Sequence, residues 1–92
     1  MEFKIGKNND LIYTGENEDK KENYVSFTLS QAKVMQIRMV YVDEKYRGMG
    51  VASSLMKEVV KYATKNNYKI YNICSYAEKW FLNHEEHQNL LA

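Results

Sequence analysis

The sequence of 92 residues contains no proline and only one cysteine. Without proline there is no proline-rich linker, and no internal repeat or low-complexity tract divides the chain. A chain of this length is expected to form one domain, residues 1–92, with a modest core. The single cysteine, Cys74, excludes an intramolecular disulfide framework and is typical of a reducing compartment.

An excess of one charge and long apolar runs are missing as well. The formal net charge is +1, from 13 basic and 12 acidic residues, so no global field attracts nucleic acid or an acidic membrane surface. No apolar run approaches the roughly 20 residues of a membrane span. The first residues, Met1–Ile5, lack the apolar stretch of a secretory signal. We therefore expect a cytoplasmic protein without nucleic-acid or membrane partners.

The first half of the chain is predicted to consist of strands joined by short turns. Apolar and polar residues alternate, as in half-buried strands, in Phe3–Ile5 and Asn23–Leu29, and two further strands are predicted at Leu11–Tyr13 and Val34–Val42. Because the links between them are short, an antiparallel meander is expected. In the fourth segment, one face is expected to carry Met35, Ile37, Met39 and Tyr41.

In the second half of the chain, the spacing of the apolar residues changes from that of strands to that of a helix. Between Val51 and Ala63 the apolar residues follow the i, i+3, i+4 spacing of one helical face. Tyr68–Ile73 is predicted to be a fifth strand. Since this strand is reached through a helix, it is expected to pair in parallel with the fourth.

Two short helical segments are predicted near the C-terminus. Ser75 and Glu78 fit a capping box at the start of a helix. Asn83 and Glu86 have the same spacing and indicate a second cap before a last short turn. The predicted fold class is thus mixed α/β: a four-stranded antiparallel meander, a main helix, a parallel fifth strand and short C-terminal helices.

The segment between the fourth strand and the main helix, Tyr46–Ala52, contains the residues best suited to bind a ligand. Gly48 and Gly50 allow a sharp turn and a close approach of the backbone to a ligand. The following helix begins with unpaired N–H groups and the positive end of its dipole, which suits a pyrophosphate. Arg47 adds a donor. Alternatively, the two glycines only shape a strand-to-helix turn.

Two better-known phosphate loops are excluded. The segment has no Gly-Lys-Ser or Gly-Lys-Thr ending, so it is not a P-loop. The triple-glycine dinucleotide pattern is absent as well, together with its parallel unit in the first half of the chain.

Arg47 to Ala52, with the sequence Arg-Gly-Met-Gly-Val-Ala, resembles the Arg/Gln-x-x-Gly-x-Gly/Ala signature of GNAT-type acyltransferases. Cys74-Ser75-Tyr76 and His84 are similar to motifs of a compact, short subgroup of that family. The resemblance implies a GNAT-like fold, with the fifth strand splayed from the fourth, and acetyl-CoA or CoA as co-substrate. It also implies CoA contacts from the loop and the end of the fourth strand, at Tyr41, Val42, Arg47, Gly48, Met49, Gly50, Val51 and Ala52.

The implied reaction is acetyl transfer to an amine on a small molecule or a protein, by a monomer or weak homodimer. The sequence departs from the subgroup at two places. It has Met39-Val40 where the subgroup usually has His-Thr, and Asn72 where the subgroup usually has Pro. The first removes a candidate general base. A CoA-binding module without efficient catalysis, or a protein-interaction domain on a GNAT scaffold, therefore remains as an alternative.

Cys74 and Tyr76 are the candidate catalytic residues. Cys74 either attacks the thioester as a nucleophile or is a small buried hydrophobe. Tyr76 could protonate the leaving thiolate, and so could Tyr71, although the neighbours of Tyr71 read as a packed strand. His84 and His87, even with Cys74, lack the spacing of a metal site, and no metal is expected.

Overall fold

The structure, a computed structural model, describes residues 1–92 and contains the predicted mixed α/β fold. Five strands form one sheet in chain order, with three antiparallel pairings followed by a parallel pairing of the fourth and fifth strands. The strands are β1 (Lys4–Ile5), β2 (Leu11–Gly15), β3 (Lys21–Leu29), β4 (Val34–Val42) and β5 (Lys69–Asn72). The meander and the parallel fifth strand are confirmed.

Two α-helices and three short 3₁₀ turns complete the chain. The helices are α1 (Val51–Asn66) and α2 (Ser75–Leu82), and the 3₁₀ turns are Glu18–Lys20, Glu44–Tyr46 and Glu85–Leu90. Asn67 ends α1 in the left-handed conformation, with φ 60°, and its N–H bonds back to the last helical turn. No helix of the structure combines the length and the apolarity that crossing a membrane requires.

The two predicted side-chain caps are wrong. Cys74, not Ser75, precedes α2, and its side chain makes no capping hydrogen bond. The Cys74 N–H is already bonded to a β4 carbonyl at 3.0 Å, which holds the residue extended and lets the helix begin at Ser75. Asn83 directs its side-chain amide back to the Lys79 carbonyl at 3.1 Å, and the last 3₁₀ turn follows His84 without a side-chain cap.

Both helices pack against the same side of the sheet. A single cluster of 15 buried apolar residues contains side chains from β2 to β5 together with those of α1 and α2. From α1 the cluster takes the predicted apolar stripe except Ala52, and from α2 it takes Ala77, Trp80 and Phe81. The opposite side of the sheet, hereafter the open face, carries exposed side chains that include Met39, Tyr41 and Tyr71.

A β-bulge interrupts β4 at its middle. Phe27 of β3 pairs with Ile37, but the preceding residue, Ser26, pairs with Met39. Arg38 is therefore an extra residue on β4, which is the geometry of a bulge. The bulge reverses which alternate residues of β4 face the helices.

The predicted single apolar face of β4 is consequently wrong for its second half. Met39 and Tyr41 are 51% and 40% exposed and lie on the open face. Val40 and Val42 turn inward instead and pack against the core. Sequence alternation alone could not reveal the change, because the four residues after the bulge, 39–42, are all apolar.

Candidate functional site

β4 and β5 diverge halfway along β4. They pair only over the first four residues of β4, which end at Ile37 opposite Asn72. The Ile37 carbonyl then accepts hydrogen bonds from the N–H groups of Ile73, at 2.9 Å, and Cys74, at 3.0 Å. Past this point β4 continues to Val42, whereas the other segment turns into α2. The predicted splay is confirmed, and the last five residues of β4 have no strand partner on that side.

A cleft of about 410 Å³ lies at this divergence, between the end of β4, the loop before α1 and the start of α2. Its lining residues are Val40, Tyr41, Val42, Tyr46, Arg47, Gly48, Gly50, Val51, Ala52, Ser53 and Tyr76. Seven of the eight residues predicted to contact CoA are among them. The eighth, Met49, points outward and is 69% exposed. Of the two candidate catalytic residues, Tyr76 lines the cleft and Cys74 does not.

The two glycines of the loop have a backbone conformation that other residues rarely adopt. Gly48 and Gly50 both have φ 78°, in the left-handed region. A Cβ atom at either position would meet nothing within 4 Å. Backbone conformation, rather than crowding by protein, thus requires glycine here, and the space in front of the loop is free for a ligand.

The start of α1 provides unused hydrogen-bond donors beside this space. Gly50 precedes the helix without a side-chain cap, and the first turn contains no acidic residue. The first helical hydrogen bond runs from Ser54 N–H to the Gly50 carbonyl at 3.1 Å. The N–H groups of residues 51–53 therefore have no acceptor in the protein, and these residues line the cleft. Together with the positive end of the helix dipole, they form a site suited to an anion.

Arg47 is held at the mouth of the cleft by the end of β4. Its Nε–H donates to the Val42 carbonyl at 3.0 Å, and its guanidinium carbon lies 6.0 Å from the centre of the Tyr41 ring. This arrangement uses one N–H group and leaves the terminal guanidinium nitrogens without protein acceptors.

The loop before α1 is also attached to β3 by an ion pair. Lys45 Nζ lies 2.6 Å from a Glu22 carboxylate oxygen, and the Tyr46 hydroxyl donates to the same carboxylate at 3.4 Å. The hydrogen bond to Glu22, reinforced by its charge, raises the pKa of Lys45. These contacts orient the segment that leads into the glycine loop.

Asn23 is a positioning residue that sequence reasoning missed. Its fully buried side chain accepts a hydrogen bond from the Asp43 N–H at 2.8 Å and donates to the Thr14 hydroxyl at 3.0 Å. It thereby links β2 and β3 to the first residue after β4. The available signal was a polar residue at an inward position of an alternating strand.

Tyr76, one of the two candidate catalytic residues, is an ionisable residue that lines the cleft. Burial, and secondarily the charge of nearby Cys74, raise the pKa of Tyr76. Its hydroxyl consequently stays protonated at neutral pH and can act as a donor. Cys74 itself is half-buried against the core. No histidine or carboxylate lines the cleft.

The remaining candidate residues lie outside the cleft. Tyr71 is 55% exposed on the open face, so its interpretation as a packed strand residue is wrong. His84 stacks on Trp80 with ring centres 3.9 Å apart, and Trp80 Nε1–H donates to Ser53 Oγ at 2.8 Å, which joins α2 to α1. No three His, Cys, Asp or Glu side chains lie together as they would around a metal ion.

Comparison with known proteins gives the family. The sequence model of the GCN5-related N-acetyl-transferase family matches residues 12–90. Since this match covers most of the chain, the protein belongs to that family, and the predicted GNAT resemblance is confirmed. No curated protein matches the sequence.

Solved structures show the same fold. A GCN5-like protein from Staphylococcus aureus, determined by NMR, is 26% identical with a TM-score of 0.79, and the match covers 99% of this chain and 87% of that one. A GNAT family N-acetyltransferase from Escherichia coli, in complex with CoA, is 25% identical with a TM-score of 0.55, over 67% of this chain and 38% of that one.

A Mycobacterium tuberculosis protein, also in complex with CoA, is 15% identical with a TM-score of 0.63, over 84% of this chain and 48% of that one, and shows the fold alone. The chain thus spans less than half of each of the two CoA-bound proteins.

Proposed function

We propose that this protein binds acetyl-CoA in the cleft between β4 and α2 and transfers the acetyl group to an amine. The observation that supports this most strongly is the convergence of three anion-binding features on one empty space. These are the left-handed loop of Gly48 and Gly50, the unbonded N–H groups at the start of α1, and Arg47. Relatives of the same fold have been solved with CoA.

The proposed orientation follows from the donors and acceptors of the cleft. The pyrophosphate would be held by the N–H groups of residues 51–53 and the free guanidinium nitrogens of Arg47. The pantetheine arm carries amide groups and would pair with the edge of β4 at Val40–Val42, which has no strand partner and of which Arg47 occupies only the Val42 carbonyl. The acyl end would then point along the cleft toward the divergence of the strands and Tyr76.

Acetyl-CoA supplies an activated thioester, which an amine can attack directly. Tyr76 carries a proton at neutral pH and would give it to the departing thiolate as general acid. With no histidine or carboxylate lining the cleft, the proton of the attacking amine would leave to water. Cys74 would support the site at the edge of the core rather than carry the acetyl group, because no base contacts its thiol.

A second function, CoA binding without efficient catalysis, is favoured by one observation. Met39 stands where the short subgroup usually has His, and the cleft contains no other base. Both functions require CoA binding, and they differ only in turnover. The two functions are distinguished by measuring, with chromatography, the CoA released from acetyl-CoA when amines are present. Measurable amine-dependent release contradicts the second function.

CoA binding can be tested with two matched variants. Gly50→Val places a β-branched residue in a left-handed conformation beside the cleft, and Asn67→Val does so at the other end of the same helix. Both variants should lose stability, but only Gly50→Val should lose the rise in melting temperature that CoA gives the wild type. An equal ligand-induced rise in both variants would remove the glycine loop from the proposed site.

The role of Cys74 is tested by mass spectrometry of the intact protein. Incubation with acetyl-CoA and no acceptor should leave the intact protein at its original mass, and Cys74→Ala should keep turnover within a small factor. Some loss of stability is expected in this variant, because Cys74 packs against the core. Acetylation confined to Cys74, with transfer to an amine at a competent rate, would instead establish a covalent route.

A further inference from the structure

The open face is the side from which an acceptor can reach the divergence of the strands. The other side of the sheet is filled by the core that α1 and α2 share. The end of the cleft beside α1 would be occupied by CoA if the proposed function holds. An amine would therefore approach across the outer surface of β4, next to the bulge.

The bulge places two consecutive side chains on this approach. Ile37 points into the core, and both Arg38 and Met39 are exposed. Arg38 directly follows Ile37, whose carbonyl marks the point where β5 leaves β4. Neither Arg38 nor Met39 lines the proposed CoA cleft, so both stay available when the cleft is filled.

Arg38 is a cation without a partner. Its guanidinium takes part in none of the ion pairs, side-chain hydrogen bonds or cation–π contacts of the molecule, whereas the second arginine, Arg47, is bonded to Val42. The strand residues that alternate toward the open face carry one carboxylate, Glu22, and Lys45 already neutralises it. An anionic group would therefore meet an unpaired guanidinium and no unpaired negative charge from the strands.

The surface beside Arg38 is aromatic and apolar. The Tyr24 and Tyr41 rings stack with centres 5.5 Å apart, and the Tyr24 hydroxyl donates to the Met39 sulfur at 3.4 Å. Tyr71 lies on β5 opposite Gln36 and is exposed on the same face. Lys21 lies 5.2 Å from the centre of the Tyr24 ring and Arg47 lies 6.0 Å from that of Tyr41, and each donates to a backbone carbonyl. A small organic molecule thus finds an apolar floor bordered by cations, of which Arg38 alone has no protein partner.

We infer that the acceptor is a small amine that carries a carboxylate, and that Arg38 binds this carboxylate. The inference rests on the proposed acetyl transfer and adds the substrate class. Because Arg38 directly follows the residue at the divergence, we expect the carboxylate and the reacting amine to be separated by a few bonds, as in an amino acid. A guanidinium binds a carboxylate through two parallel hydrogen bonds, which also fixes the orientation of the amine.

Because the two arginines have different proposed roles, CoA binding and carboxylate binding can be tested in one sample. The sequence contains only Arg38 and Arg47, so a ¹⁵N spectrum of the Nε–H groups has two signals. CoA should move the Arg47 signal. Adding N-acetylglycine, N-acetylalanine or N-acetylphenylalanine to the CoA-loaded protein should then move the Arg38 signal, and the corresponding carboxamides should not.

Turnover supplies the second measurement. Amino acids should be acetylated about tenfold or more faster, in kcat/KM, than their carboxamides, since a charge-assisted bidentate contact has about this strength. Arg38→Gln should remove the difference without changing CoA affinity, and Arg38→Lys should restore part of it. Lys57→Gln, which removes an exposed charge from α1, should leave the difference intact.

The outcomes distinguish the two proposals. If CoA leaves the Arg47 signal unchanged and does not bind, the proposed function fails and this inference fails with it. If CoA binds but carboxylates have no advantage, or keep it in Arg38→Gln, only the substrate class is wrong.

Discussion

The two halves of β4 differ in almost every physical respect. The first half, Val34–Ile37, is paired on both sides, and its inward side chains Met35 and Ile37 are completely buried. The second half, Arg38–Val42, is paired with β3 alone, and two of its larger side chains lie on the open face. The first half of β4 thus contributes fully buried side chains to the core, whereas the second half adds only the partly buried Val40 and Val42 and also lines the candidate site.

The difference has two local causes. The bulge at Arg38 reverses which side chains face the helices. The departure of β5 after Asn72 leaves the next backbone edge of β4 without a strand partner. An unpaired edge inside a sheet is unfavourable unless water or a ligand satisfies its polar groups. This arrangement indicates that stability depends on the first half and ligand binding on the second.

The largest expected effect compares truncations two residues apart. Ile37→Ala removes a fully buried side chain and should lower the free energy of unfolding by about 2–5 kcal/mol. Met39→Ala removes a half-exposed one and should change it by about 0.5 kcal/mol or less. Urea denaturation measures both. Equal losses would mean that Met39 contributes to the core as much as Ile37 does.

The next largest effect concerns Tyr76, at the second position of α2. Tyr76→Phe keeps the ring but removes the proposed general acid, and should lower turnover about a hundredfold with little change in CoA affinity. Steady-state kinetics beside a CoA-binding isotherm would measure both quantities. Unchanged turnover would exclude Tyr76 as the acid.

The pH dependence of Tyr76 has a definite sign. Its pKa is raised above the ordinary value of about 10, so its protonated form persists through the neutral range. Turnover that needs this proton should hold until the pH passes the raised pKa and then fall. The associated stability is present below the unfolded pKa and is lost as the pH rises through the folded one. A fall in turnover at neutral pH would show that a different group is titrating.

The smallest expected effect compares the CoA affinities of variants at the two arginines. Arg47→Ala should weaken CoA by about 1.5–3 kcal/mol, the range for hydrogen bonds to charged groups. Arg38→Ala, on β4 and outside the cleft, should leave CoA affinity unchanged. Calorimetry with CoA and with a pantetheine that lacks the phosphates tests this. Equal losses for both ligands would mean that Arg47 acts through the fold.

Much of the fold could be predicted because its signals are local. The period-two pattern of the strands and the helical stripe of α1 gave the element order, and the crossover through α1 gave the parallel pairing of β5. The loop with Gly48 and Gly50 was recognisable because a left-handed turn before a helix needs these residues.

What could not be predicted depends on contacts between distant residues. The bulge at Arg38 could not be predicted, because residues 39–42 after it are all apolar and fit either face of the sheet. The Ser75 cap failed because the Cys74 N–H is bonded to a carbonyl of β4, 37 residues earlier in the chain. Asn23 could be noticed as an inward polar residue, but its partner Asp43 on the loop could not.

The central claim is that CoA binds where β4 and β5 diverge, and backbone amide shifts test it most directly. We predict that titration with CoA saturates and moves the amides of residues 40–42, 47–53 and 76. The amides of residues 35–37 and 69–71, where the two strands are paired, should stay in place. Saturable changes centred instead on the smaller groove of Phe3, Ile12 and Tyr62, or no saturable change, would contradict the account.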